Sequence, residues 1–191
     1  MPDIYEPAED SFFLLEVLRK MAPKLLIQNH HLKALDMGSG SGILARVLIE
    51  MGINPADLTL IDINPKTISH LKKEFPKSKI IKSDLFSKVK GKFDLMIFNP
   101  PYLPENKFDS RKDTTGGKNG DETILKFLNN FERHLNENGR VLLLISSLTP
   151  ISRIKKIFKR CNTRLLATKK LFYEKLFIYE TWSKRKISKI N

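Results

Sequence analysis

The sequence predicts an α/β fold: a mainly parallel sheet of seven strands, helices on both faces, and a closing antiparallel hairpin. Three observations predict it. Short aliphatic runs alternate with stretches of helical period along the chain. A glycine-rich turn, LDMGSGSG at 35–42, separates the first such run from a helical segment. The last two runs, TRLLATKK at 163–170 and KLFIYETW at 175–182, are parted only by LFYE, which is hairpin spacing.

Each element follows in order. DSFFLLEVLRKM (10–21) spaces its apolar residues helically, with Asp10 or Ser11 as the cap. LKALDM (32–37) reads as a buried strand and GILARVLIEM (42–51) as the helix beyond the glycine turn. DLTLIDI (57–63) is the second strand, after which Asn64 and Pro65 suit the N-cap and first helical position of KTISHLKKEF. KIIK (79–82) and FDLMIF (93–98) are the third and fourth strands. ETILKFLNNFERHL (122–135) reads as one helix ended by NENG, RVLLLI (140–145) as a strand, and SRIKKIFKRC (152–161) as the last helix. The polar stretch ENKFDSRKDTTGGKNGDE (105–122) is the one long connection, a length that compact domains reserve for functional or disordered segments. It follows FNPPYLP (98–104), so it is expected to face the substrate.

The chain of 191 residues, 41% hydrophobic, is expected to form a single domain over 1–191. Within it, 1–31 is an N-terminal covering segment and helix, and 183–191 a basic tail. No apolar run approaches the ~20 residues of a membrane helix, and the acidic start MPDIYEPAED is unlike a signal peptide, so a cytoplasmic location is expected. Cys161 is the single cysteine, which excludes an internal disulfide, and four scattered histidines offer no metal cluster. The net charge of +13 suits an acidic partner such as RNA, DNA or the ribosome, or reflects a general richness in lysine. The tail SKRKISKI is the one dense basic cluster.

In parallel sheets, ligands gather beyond the carboxyl ends of the strands. The candidate residues fall there. Gly38, Gly40 and Gly42 permit a tight turn and a close ligand approach. Ile43 stands where a dinucleotide fingerprint needs glycine, and Asp36 inside the turn suits a cation better than a pyrophosphate, which favours S-adenosyl-L-methionine over NAD. Asp62, about 25 residues on, ends the second strand and can accept two ribose hydroxyls. Asp84 follows the third strand as an acceptor for an adenine amino group, with Leu85 to pack on the ring. At the end of the fourth strand, two prolines stiffen the corner that carries Asn99 and Tyr102. The Asn99 side-chain oxygen and the Pro100 carbonyl make a pair of acceptors for an –NH2 conjugated to a π system, in an amide or an aminopurine. Tyr102 can lie against that planar group.

Asn99-Pro100-Pro101-Tyr102, with Asp36-Met-Gly-Ser-Gly-Ser-Gly42 and Asp62-Ile-Asn-Pro65, resembles class I S-adenosylmethionine-dependent methyltransferases that act on amino nitrogens. YEPAEDSFFLLEVL (5–18) and GGKNG (116–120) narrow the resemblance to the archaeal and eukaryotic branch of the HemK family. It implies a Rossmann-like fold and protein-glutamine N5-methylation of a class I peptide-chain release factor. It also implies cofactor contacts from Ser11, Asp36, Gly38, Asp62, Asp84, Leu85 and Asn99, and a substrate amide held by Asn99, Pro100, Pro101 and Tyr102. The YEPAED segment is then expected to fold over the methionine end of the cofactor, and a small zinc-finger activator subunit is implied as partner. The extra N-terminal domain of bacterial members is not expected here, since YEPAED begins at residue 5. The rival reading is an adenine N6-methyltransferase, because the same corner accepts an adenine amino group; a lysine methyltransferase and a catalytically silent scaffold are lesser rivals.

Overall fold

The computed structural model describes residues 4–29, 31–105 and 115–184. Among the described residues, helices and strands run in the order α1 (Glu9–Gln28), β1 (Ala34–Met37), α2 (Ile43–Glu50), β2 (Leu58–Asp62), α3 (Pro65–Glu74), β3 (Lys79–Lys82), β4 (Phe93–Phe98), α4 (Glu122–Leu128), β5 (Leu135–Ser146), α5 (Ile151–Phe158), β6 (Asn162–Lys170) and β7 (Lys175–Trp182). Short 3-10 turns occupy Pro55–Asp57 and Phe131–His134. The seven strands lie in the order β3-β2-β1-β4-β5-β7-β6, with β7 antiparallel to both of its neighbours and the other pairings parallel.

Alternation along the strands builds two cores. Leu95 and Ile97, with Leu142, Leu144, Leu176 and Ile178, face α1 and α2. Met96 and Phe98, with Val141, Leu143 and Ile145, face α4 and α5. Strands buried on both faces read as unbroken aliphatic runs, which is why they were legible. Among the described residues no helix is long and apolar enough to cross a membrane.

Asn64 caps α3 as expected, its side chain accepting from the Lys66 amide, with Pro65 in the first turn. Other elements differ. The first helix does not stop at Met21 but continues through Pro23 to Gln28, because Leu25 and Leu26 beyond the proline pack on the core. Neither Asp10 nor Ser11 caps it. The N-cap is Ala8, without a side-chain cap bond, and the Asp10 carboxylate is engaged elsewhere. The single helix expected over 122–135 is α4 followed by a separate 3-10 turn, broken at Asn129-Asn130, both poor helix formers. NENG does not follow a helix end; it lies within β5, where the pairing shifts register opposite Phe93 and Leu95. Residues 106–114 of the long connection and 185–191 of the basic tail lie outside the described residues.

Gly42 closes the turn between β1 and α2 with φ +78°, and a Cβ there would lie 2.9 Å from Phe75 Cζ and 3.0 Å from Leu71 Cδ2. Gly42→Ala therefore combines left-handed strain with overpacking against a buried ring. It should cost about 2–4 kcal/mol, read from the denaturant midpoint. A loss under about 0.5 kcal/mol would show that the α2–α3 contact yields freely.

Candidate active site

The carboxyl ends of β3, β2, β1 and β4 lie side by side, with Met37 paired to both Ile61 and Phe98, and Asp62 paired to Lys82. This row places Asp84, Asp62, the glycine turn and Asn99 along one edge of the sheet. The Ser39 hydroxyl latches the turn to β2: it donates to the Asp36 carbonyl at 2.9 Å and accepts from the Ile61 amide at 3.1 Å. The Asp62 carboxylate accepts from the Gly40 amide at 3.0 Å and the Asn64 amide at 2.8 Å, which fixes its orientation at the strand end.

Asp36 is wholly buried, and neither of its carboxylate oxygens has a hydrogen-bond partner among the described residues. Burial pushes its carboxyl up to about 7; the nearby Asp62 charge adds to the rise and Ser39 offsets only part of it. An orphaned buried acid beside a glycine turn is expensive. It fits a site built to receive a cation.

The polar N-terminal segment closes the other side. Tyr5 lies against Gly40, where a Cβ would meet the tyrosine Cβ at 3.5 Å, and its hydroxyl donates to both oxygens of Asp10 at 2.8 and 2.9 Å. Asp10 also accepts from the Ser11 amide at 2.6 Å and from Asn99 Nδ2 at 3.1 Å; Asn99 Nδ2 lies 3.4 Å from the Ser11 hydroxyl. A carboxylate can only accept, so Asp10 determines which way the Asn99 amide points. Asn99 Oδ1 is then left buried, with no partner among the described residues. YEPAED thus spans the glycine turn and the N-P-P-Y corner. Asp10, the hinge of this network, was read from the sequence only as a cap, since an acid in a first helical turn is ordinary there.

Pro100 is buried, and Pro101 and Tyr102 are half-buried. The Tyr102 ring touches both cores. Burial first, then the Asp10 and Glu174 carboxylates, hold its hydroxyl far above the usual tyrosine range, and it donates a hydrogen bond to Glu174. Tyr102 therefore stays protonated and is no base. Glu174, from the turn between β6 and β7, also accepts from the Ser146 hydroxyl at the end of β5. Nothing in the local sequence singled it out.

The glycines of GGKNG fix the loop against the N-P-P-Y corner. A Cβ on Gly116 would come within 2.6 Å of the Pro101 carbonyl oxygen, and one on Gly120 within 2.5 Å of that of Tyr102. Glycine allows the loop backbone to lie directly on the N-P-P-Y backbone, where Gly116 N donates to the Leu103 carbonyl at 2.8 Å and Glu105 N to that of Gly117 at 3.0 Å. The wholly buried Asp121 that follows is paired with Arg153 of α5, which anchors the loop's end.

Asp84 is exposed at the β3 end of the row, with two strands between it and the strand that carries Asn99. Leu85 has φ +46°, the single non-glycine positive φ among the described residues. The Ser83 hydroxyl holds that strain by donating to the Leu85 carbonyl at 2.8 Å.

The methyltransferase small-domain family model matches residues 10–173. The chain belongs to that family. Among its relatives, a Methanocaldococcus jannaschii protein provisionally named a protein N5-glutamine methyltransferase is 33% identical over 195 residues, 95% of this chain and 92% of that one. The methyltransferase HEMK2 of Homo sapiens is 33% identical over 171 residues, 82% of this chain and 78% of its own. Among solved structures, a chain of the E. cuniculi Mtq2–Trm112 complex, a complex described as responsible for the methylation of the eRF1 translation termination factor, superposes with a TM-score of 0.70. It is 23% identical and covers 95% of this chain and 99% of its own, so it shows the same fold. The site thus belongs to a small-domain methyltransferase, and the seven-stranded sheet with its terminal hairpin is the class I, Rossmann-like arrangement of that family.

Proposed function

We propose that this methyltransferase methylates the side-chain amide nitrogen of a glutamine, that of the Gly-Gly-Gln loop of a class I peptide-chain release factor, using S-adenosyl-L-methionine. The observation that carries the reading is the orientation of Asn99: Asp10 takes its N–H, which presents a buried, unpartnered oxygen at the N-P-P-Y corner. Such an oxygen suits an N–H donor. The relatives named for glutamine methylation and the E. cuniculi complex support the substrate.

Asp36, the glycine turn with Gly38, Asp62, Asp84, Leu85 and Ser11 would hold the cofactor, which supplies a methyl group on electron-poor sulfur. The orphaned Asp36 carboxylate and the Tyr5-backed Gly40 fit a cationic nucleoside. On the substrate side, Asn99 Oδ1 and the Pro100 carbonyl accept the two amide hydrogens. Positive charge would grow on the nitrogen as the methyl group leaves sulfur for it, so these hydrogen bonds strengthen in the transition state, and the nitrogen then gives up one of its two protons to solvent. The Tyr102 ring, held from behind by Glu174, keeps the amide plane in line. A small activator subunit belongs to the proposal, supported by the E. cuniculi complex; its zinc-finger character follows from the resemblance.

Mass spectrometry of a release factor after incubation with enzyme, activator and cofactor tests the reading. The expected result is one methyl group on the Gly-Gly-Gln glutamine, absent from a Gln→Asn substrate. Methylated adenine in DNA or RNA, with the release factor untouched, overturns it. Asp62→Ala should weaken cofactor binding by about 2–3 kcal/mol in calorimetry, through loss of a charged acceptor for two hydroxyls. An unchanged affinity would remove Asp62 from the ribose.

A further inference from the structure

We propose that the tip of the β6–β7 hairpin, Phe172 and Tyr173, is the docking surface for the polypeptide that flanks the target glutamine. This rests on the protein-glutamine reading above. Phe172 is 90% exposed and Tyr173 86%, the two most exposed of the large apolar side chains among the described residues. Their rings pack edge to face, 4.6 Å apart. Solvent exposure of two adjacent aromatic rings on an ordered turn marks a contact site.

The turn is held rigidly and at the right place. Leu171 N donates to the Glu174 carbonyl at 2.8 Å and closes the turn. Ser147 N donates to the Lys175 carbonyl at 2.8 Å, and Lys175 N donates to the Ser147 hydroxyl at 2.9 Å. Ser146 pairs with Leu176, so the tip stands beyond the carboxyl end of β5, at the same end of the sheet as Asn99. The Glu174 carboxylate, next in sequence to Tyr173, takes hydrogen bonds from the Tyr102 and Ser146 hydroxyls. The tip is thereby tied directly to the wall of the acceptor pocket. Leu148, 46% exposed, follows Ser147 in the loop that is bonded to Lys175.

A chain that inserts an amide beside Tyr102 passes this turn on its way out. The patch suits apolar side chains of a protein, with Lys170 and Lys175 exposed on either side for acidic neighbours. A protein occupant is favoured over RNA because the tip stands at the same end of the sheet as the corner read here as taking a glutamine amide.

Steady-state kinetics of the full chain with its activator subunit on intact release factor, with Phe172→Ala/Tyr173→Ala beside wild type, tests the proposal. KM for the release factor should rise about tenfold or more, with kcat within about twofold and cofactor affinity unchanged. The swapped pair Phe172→Tyr/Tyr173→Phe should restore KM to within about threefold. An unchanged KM, or a fall in kcat alone, overturns the proposal. So does a loss of RNA or anionic-vesicle binding without any change in KM. Should wild type leave the release factor unmethylated, the glutamine reading fails by itself. A direct titration of wild type and double variant with release factor then decides the tip: weaker binding by the variant supports it, and equal or absent binding overturns it.

Discussion

Asn99→Ala is expected to lower kcat for methyl transfer by about a hundredfold or more, with a much smaller change in cofactor affinity. The asymmetry comes from where the side chain acts. Its Nδ2 is spent on Asp10 and lies near Ser11, whereas Oδ1 is buried and unpartnered, available only to an incoming donor. That oxygen gains most of its interaction when the target nitrogen begins to carry positive charge, so its loss falls on the transition state. Asp10→Asn is the companion test. An amide at 10 can donate as well as accept, so Asn99 is free to turn over and present its N–H to the substrate. Turnover should fall about tenfold or more, although Asn99 itself is intact. Near-normal turnover of Asn99→Ala on the unmethylated release factor would sink the reading of this corner; single-turnover kinetics with saturating cofactor provides the measurement.

The contrast between Asn99 and Asp10 shows where the sequence stops being readable. Asn99 is conspicuous because two prolines and a tyrosine follow the aliphatic run FDLMIF, and that strand occupies the predicted residues. KIIK and KLFIYETW are likewise found at the predicted bounds, since residues with cores on one or both faces leave a pattern of few alternatives. Asp10 leaves no such trace. It meets Asn99 across 89 positions, a pairing made by the closure of α1 onto the sheet and not by any local period. Glu174 reaches Tyr102 in the same long-range way. The glycines at 116 and 120 illustrate a different ambiguity: a glycine that frees the backbone and one that admits another backbone look identical in sequence. Only the closeness of the Pro101 and Tyr102 carbonyls distinguishes them. Helix bounds failed where packing overrode propensity at Pro23, and where two asparagines ended α4 although the apolar spacing ran on to Leu135.

Asp36→Asn is expected to stabilise the cofactor-free protein at pH 8 by about 3–4 kcal/mol and to weaken cofactor binding by tenfold or more. The carboxyl has an ordinary value of 3.8 and is pushed up to about 7 in the folded chain. Between those values the native state holds a proton that the unfolded chain has released. The stability linked to that proton is therefore fully present below about pH 4, declines as pH rises, and is gone above about pH 7. A neutral amide removes the dependence, so melting temperatures of wild type and variant should diverge from about pH 4 to about pH 7 and keep a constant gap above that. Binding runs the other way. A cationic ligand favours the carboxylate, so cofactor affinity should drop about tenfold per pH unit below pH 7. Binding at pH 6 should then release close to one proton, measured by calorimetry in buffers of different ionisation enthalpy. An affinity that stays flat from pH 5.5 to pH 8, with Asp36→Asn no more stable than wild type, would mean that the buried acid is ionised without a ligand. The partnerless oxygens of Asp36 make that state costly: the same burial that strains the empty turn is what gives a positively charged ligand its hold.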